Sequence, residues 1–180
     1  MAILRVAKLG NPILRKIAEP INEKDVKSPK IKTLIEDMIQ TMFEYDGRGL
    51  AAPQVHESLQ LVVMIWDFDE TTDPYIRCLI NPVITPLTEE TAPFWEGCLS
   101  VPGMRGKVAR PTKISVEALD QTGKKSTFVA DGFAATVIQH ECDHLIGKIY
   151  VDRLVDPTQF AFNREYSKFI AKAEQEDAAE

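Results

Sequence analysis

His140-Glu141-Cys142-Asp143-His144 is the segment whose residue types and spacing could do chemistry. On a helix, residues i and i+4 lie one turn apart on the same face, so the His140 and His144 imidazoles can converge on one metal ion. Glu141 then points about 100° further round the helix, which places it beside the ion, as a general base toward a water the ion activates. Val137, Ile138 and Leu145 share the segment. Their presence predicts a central helix, and a central helix rarely buries two His and a Glu without a use for them.

A catalytic site of this kind needs a third protein ligand and one open position. Cys98 offers a thiolate from Glu96-Gly97-Cys98-Leu99-Ser100, a strand-to-turn segment whose Gly97 permits close backbone approach. Glu165, which follows His144 further along the chain, offers a carboxylate. The position that would carry a third His in the metzincin pattern is Tyr150, so that pattern fails. Cys142 and Cys78 read as small core residues. Gly47-Arg48-Gly49-Leu50-Ala51-Ala52-Pro53-Gln54 reads on its own as a connection between a helix and a strand, with Gln54 able to donate a hydrogen bond to an oxygen.

The elements that must position these residues follow from the pattern around them. The first 25 residues read as an extended arm with a turn at Asn11-Pro12. Ser28-Pro29 caps a helix whose apolar positions, Ile31, Leu34, Ile35, Met38, Ile39, Met42 and Phe43, form one stripe. From Leu59 to about Phe128 the text is strand-like. Leu61–Trp66 reads as a buried strand, Ile80–Ile84 as one weakened by Pro82, and Ile114–Leu119 as one turning at Asp120–Gly123 into Ser126–Val129. A second helix is predicted over about Phe133–Ile146, stopped by Gly147, and a final one over about Pro157–Ala173, with residues 174–180 as a frayed tail. The fold class is therefore α+β: antiparallel sheets packed around a central metal-binding helix, with an N-terminal and a C-terminal helix, in a single catalytic domain over 1–180.

Composition bounds the function. The chain has 180 residues, 44% hydrophobic and 27% charged, with a formal charge of −6, which fits an ordinary folded domain and carries no basic footprint for nucleic-acid readout. The longest apolar run, Leu61–Trp66, is far short of the roughly 20 residues that span a bilayer. Three cysteines and no signal-peptide pattern lead us to expect a cytoplasmic protein without a disulfide framework.

Taken in order, Gly47–Gln54, Glu96–Ser100 and Gln139–His144 resemble the G-x-G-L-A-A-x-Q, E-G-C-L-S and Q-H-E-x-D-H motifs of the peptide deformylases. Leu14-Arg15 after Asn11-Pro12, and Val101-Pro102-Gly103 through Arg110, are also similar, so the resemblance covers roughly residues 3–155. It implies that Cys98 joins His140 and His144 as the metal ligand set, which leaves Glu165 a surface role. It implies one divalent ion, Fe(II) first, with Zn, Ni or Co as accepted substitutes. The implied reaction is hydrolysis of the formamide at the N-formyl-methionyl end of a nascent peptide, releasing formate. Glu141 would be the general base, and the Leu99 N–H and the Gln54 side chain would meet the developing oxyanion. Asp143 and Glu96 would orient ligands and loops. Substrate contacts are expected from Gly47, Gly49, Leu50, Glu96, Phe94, Arg105, Phe133 and Val137, with the peptide added as a strand beside Gly47–Gly49. The ribosome near its exit tunnel is a second expected partner. Arg48 departs from the family, whose middle position in G-x-G is usually apolar; it bears on peptide preference and not on the metal ligands. Two other readings compete. One is a zinc endopeptidase using Glu165; the other is a closed structural metal site in a protein that only binds, which would need neither Glu141 nor Gln54.

Overall fold

The structure, a computed structural model, describes residues 2–66 and 75–177, with side chains as far as Glu174. Residues 67–74 of the strand-like stretch and residues 178–180 of the expected tail lie outside the described residues.

The central sheet is built on Leu61–Ile65 (β2), whose five residues are all buried. Period-two alternation explains why an unbroken apolar run is needed there. Leu61, Val63 and Ile65 face one helix, and Val62 and Met64 face the other. The first helix is Pro29–Glu44 (α1), started where the Ser28 hydroxyl accepts the Ile31 N–H at 3.4 Å. Its buried stripe, Ile31, Ile35, Met38 and Met42, covers the first face. The second is Gly132–Leu145 (α2), which covers the other face with Ala135, Ile138 and Cys142. Each buried Ile, Leu, Val or Met side chain among these is worth roughly 1.5–3 kcal/mol relative to exposure.

The five-stranded sheet runs Gly49–Ala51 (β1), β2, Ile76–Pro86 (β3), Lys113–Leu119 (β6) and Lys125–Asp131 (β7), in that spatial order. A three-stranded sheet runs Thr91–Cys98 (β4), Val101–Pro111 (β5) and Phe160–Phe162 (β8). Every ladder in both is antiparallel. A separate cluster of Leu14, Val101, Val108, Ile149 and Tyr150 packs β5 against the 3-10 turns Pro12–Arg15 and Tyr150–Arg153. The fold is thus the expected mixture of antiparallel sheets and a few helices.

Three differences from the sequence reading have local causes. Gly49–Ala51 is an edge strand, not a bare connection, because it pairs with Val62–Met64 of β2. The bulge between Ile80 and Val83 lets β3 carry Pro82 and continue to Pro86. The region from Pro157 is not one helix. Asp156 caps a 3-10 turn at Pro157–Gln159, and Phe160–Phe162 pairs with Met104–Gly106 as β8. Helix begins only at Asn163–Glu165 (α3), passes through a π-helical stretch at Tyr166–Ile170, and ends as Ala171–Asp177 (α4). Residues 174–177, expected to fray, are helical. Among the described residues no helix is long and apolar enough to cross a membrane.

Candidate metal centre

Helix α2 is buried from Ala135 to Leu145, and it carries five polar or ionisable side chains in a row between Gln139 and His144, interrupted only by Cys142. His140 and His144 sit one turn apart with ring centroids 5.3 Å from each other. The β4–β5 hairpin delivers the third group. Its register shifts between Gly97 and Cys98, and this turns Cys98 toward α2 at the tight Leu99-Ser100 connection. Cys98 Sγ lies 3.3 Å from His144 Nε2. The ligand atoms of Cys98, His140 and His144 all lie within 4.8 Å of one another. One thiolate and two imidazoles at that separation fit a tetrahedral divalent ion with one open position. Glu165, the alternative third ligand, is exposed in α3 and outside this cluster.

A carboxylate beside the cluster fixes the tautomer of His140. Glu96 Oε2 lies 2.7 Å from His140 Nδ1. A carboxylate there accepts, so Nδ1 carries the proton and Nε2 is left to ligate. Arg110 grips the same carboxylate bidentately (Nε to Oε1 2.5 Å, Nη2 to Oε2 2.9 Å) and donates through Nη1 to Asp143 Oδ2 at 2.8 Å. Arg153 clamps Asp143 from the other side. Although burial opposes its charge, the hydrogen bonds and charges of Arg110 and His140 hold the Glu96 carboxyl below its usual range. Burial keeps His144 neutral, well below the usual imidazole value. At His140 burial pulls the same way, but Cys98 and Glu96 outweigh it and the pKa is raised. The Tyr150 ring stacks on His140 at 5.9 Å between centroids.

Gln54 comes from the 3-10 turn Ala52–Val55 after β1. Its Oε1 accepts the Ala51 N–H at 2.8 Å, which aims Nε2 at Ser100 Oγ (3.2 Å) and Cys98 Sγ (3.4 Å). The N-terminal arm braces both partners: Ala7 N–H donates to the Gln54 carbonyl and Leu9 N–H to the Ser100 carbonyl, each at 2.7 Å.

Glu141 is buried, and among the described residues its Oε2 has no hydrogen-bond partner. Burial, reinforced by the nearby charges of Glu96 and Asp143, pushes its pKa up to about 7 against the pull of His140 and Arg110. Its carboxylate packs on Gly49, where an added Cβ would sit 2.6 Å from Glu141 Oε1. That contact, together with the edge strand, is the reason for glycine at this position.

A cavity of about 720 Å³ opens onto Cys98, His140 and Glu141. Of the expected substrate contacts, Gly47, Gly49, Phe94, Glu96, Arg105, Phe133 and Val137 line it, as do Gln54 and Leu99. Phe94 and Phe133 stand 6.4 Å apart and give it an apolar wall. Leu50 is the exception. It is fully buried in the α1 core, because alternation along β1 turns it away from the cavity. Glu96 also lines the cavity, with its carboxylate bonded to Arg110 and His140. The sequence reading gave no role to Arg110, Arg153 or Tyr150. A buried arginine is the general signal, but its partners on α2 are visible only after folding.

A Cys-His-His cluster beside a buried carboxylate and an apolar cavity, on antiparallel sheets around one helix, defines a metallohydrolase. The sequence model of the polypeptide deformylase family matches residues 3–160. The peptide deformylase of Leptospira biflexa serovar Patoc is 44% identical over 170 residues, spanning 92% of this chain and 95% of that protein. That of Psychrobacter cryohalolentis is 49% identical over 154 residues, spanning 86% and 80%. Among solved structures, the Met-Ala-Ser-bound class I type b peptide deformylase of Acinetobacter baumannii superposes with a TM-score of 0.80 at 35% identity, covering 85% of this chain and 99% of that one. The Thermotoga maritima peptide deformylase does so with 0.78 at 38%, covering 87% and 100%. The chain belongs to the peptide deformylase family: it is a hydrolase that removes the formyl group from the N-terminal methionine of new polypeptides. Members of the family use a divalent metal, and the Cys98, His140 and His144 cluster is the candidate site for it.

Proposed function

We propose that Cys98, His140 and His144 hold one divalent ion, Fe(II) in the cell, and that Glu141, Gln54 and Leu99 carry the chemistry around it. The observation that carries this reading is the convergence of three ligand atoms within 4.8 Å beside a buried carboxylate. The ion, when bound, supplies Lewis acidity, which brings the pKa of a water toward neutrality and draws charge onto a carbonyl oxygen.

The chain's own groups do the rest. The formylated terminus enters as an extra strand on the free edge of β1. The Arg48 carbonyl accepts the Ile65 N–H at 3.0 Å, and the Ala51 N–H turns away from β2 to Gln54. Alternation then leaves the Gly49 N–H and C=O facing the cavity to pair with peptide backbone. The methionine side chain packs into the wall of Phe94, Phe133 and Val137. Glu141 takes a proton from the attacking water and delivers it to the leaving amine as the formyl C–N bond breaks, giving formate and a free terminus. The Leu99 N–H and Gln54 Nε2 donate to the formyl oxygen as it gains charge, and removing one such donor costs about 10²–10³ in kcat. Glu96, Arg110, Asp143 and Arg153 hold the His140 tautomer and orientation. We assign the protein to the cytoplasm, acting on nascent chains near the ribosome as one catalytic unit over 1–180.

The test is formate release from a formyl-Met peptide by anaerobically purified protein. Glu141→Ala should retain its metal and lose orders of magnitude in rate; equal rates in variant and parent would refute the assignment of Glu141.

A further inference from the structure

We infer that this chain favours formylated peptides with a carboxylate at the residue after methionine, read by Lys8, Arg48 and Arg105 at the cavity rim. The inference deepens the deformylase reading and rests on it. The molecule carries a formal charge of −6. The cavity nevertheless gathers these three cations, against one exposed acid, Asp46, among its described lining residues. The other two acids of the lining are not at the rim. Glu96 is buried and paired with Arg110, and Glu141 is buried beside the ligands.

Among the described residues, Lys8 and Arg105 are positioned by uncharged partners. Lys8 Nζ donates to the Leu99 carbonyl at 2.8 Å and stands 5.5 Å from the Tyr45 ring centroid. Arg105 Nε donates to Asn163 Oδ1 at 3.0 Å, and its guanidinium lies 4.6 Å from the Tyr166 centroid. Those partners are uncharged, so each cation keeps its field toward the groove. Arg48 directly precedes Gly49, the residue whose backbone faces an incoming strand, and it is exposed.

Strand geometry selects the position that is read. In an added strand successive side chains point to opposite faces. When the methionine side chain enters the apolar wall, the next one points outward to the rim. A carboxylate there enters a rim that carries Lys8, Arg48 and Arg105, whose field favours it and disfavours an ammonium.

Two sources can supply that carboxylate: an Asp or Glu side chain, or the free C-terminus of a very short peptide. Amidated peptides isolate the first. We predict that kcat/KM for formyl-Met-Asp-Ala-amide exceeds that for formyl-Met-Lys-Ala-amide by roughly 2–5-fold at low salt, the size expected of partly exposed charge pairs, and that 0.5 M salt shrinks the ratio. Arg48→Gln and Lys8→Gln should each move it toward one. Equal rates on the two amidated peptides, or a preference for lysine, would overturn the inference while leaving deformylation intact. A gain seen only with free-acid tripeptides would also overturn it, since the C-terminus alone would then be recognised. Formate from neither peptide would defeat the deformylase reading and this preference together.

Discussion

A methyl group at position 49 is the smallest change that should separate metal binding from chemistry. An added Cβ would press on the Glu141 carboxylate and touch none of Cys98, His140 or His144 among its nearest contacts. Gly49→Ala should therefore keep its metal and lose on the order of 10²-fold in formate release, the low end of general-base contributions; a variant with the parental rate would show that Glu141 tolerates displacement. Arg110 tests the other side of the site. It neutralises Glu96 and Asp143 in the interior, so Arg110→Met strands two buried carboxylates. The expected loss is about 3–5 kcal/mol in urea unfolding of the metal-loaded protein. Arg110→Lys should recover little of it, because an ammonium cannot span both oxygens of Glu96; full recovery would mean that charge alone suffices. These two residues also mark what the sequence made legible. The His140/His144 spacing is written in a local helical period, and Cys98 was one of two residue-level candidates until motif order singled it out. Arg110 is set by pairing between a strand and a helix 33 residues further on, and no local pattern records that.

The C-terminal elements show the same divide among strands and helices. α1 and β2 were readable because each has one uninterrupted period, 3.6 or 2, over its whole length. Phe160–Phe162 was read as helix because three residues are too few to display a period, and their state is decided by pairing with Met104–Gly106. The run that follows docks through Glu174, which accepts from Lys107 Nζ at 2.6 Å and from Trp95 Nε1 at 3.1 Å. Those two bonds, Lys107 first, hold the Glu174 carboxyl below its usual value. A lowered folded-state pKa means that the docking contribution is complete above the free carboxylate pKa, about 4.3, and is lost as pH falls through the lowered value. In a Trp66→Phe background, Trp95 fluorescence should therefore shift on acidification below about pH 4.3, and Glu174→Gln should abolish that transition. Its persistence in the variant would place the titrating group elsewhere.

At the scale of the whole molecule, the layers explain why a metallohydrolase site can sit so deep. α2 is covered by the central sheet on one face and reached by the β4–β5 hairpin, so His140 and Asp143 are desolvated yet supplied with partners from β4, β5 and the Tyr150–Arg153 turn, while Glu141 Oε2 is left without one among the described residues. Composition gave the size, the acidity and the folded character of the chain, but it could not place the cationic rim, which is assembled from an N-terminal arm, an edge strand and a hairpin. The central claim is that the ion is held by Cys98 together with the histidine pair, and metal stoichiometry in paired variants tests it most directly. One divalent ion per chain is predicted for the parent and for Glu165→Ala, with loss of the ion in Cys98→Ala. Retention in Cys98→Ala together with loss in Glu165→Ala would contradict the account.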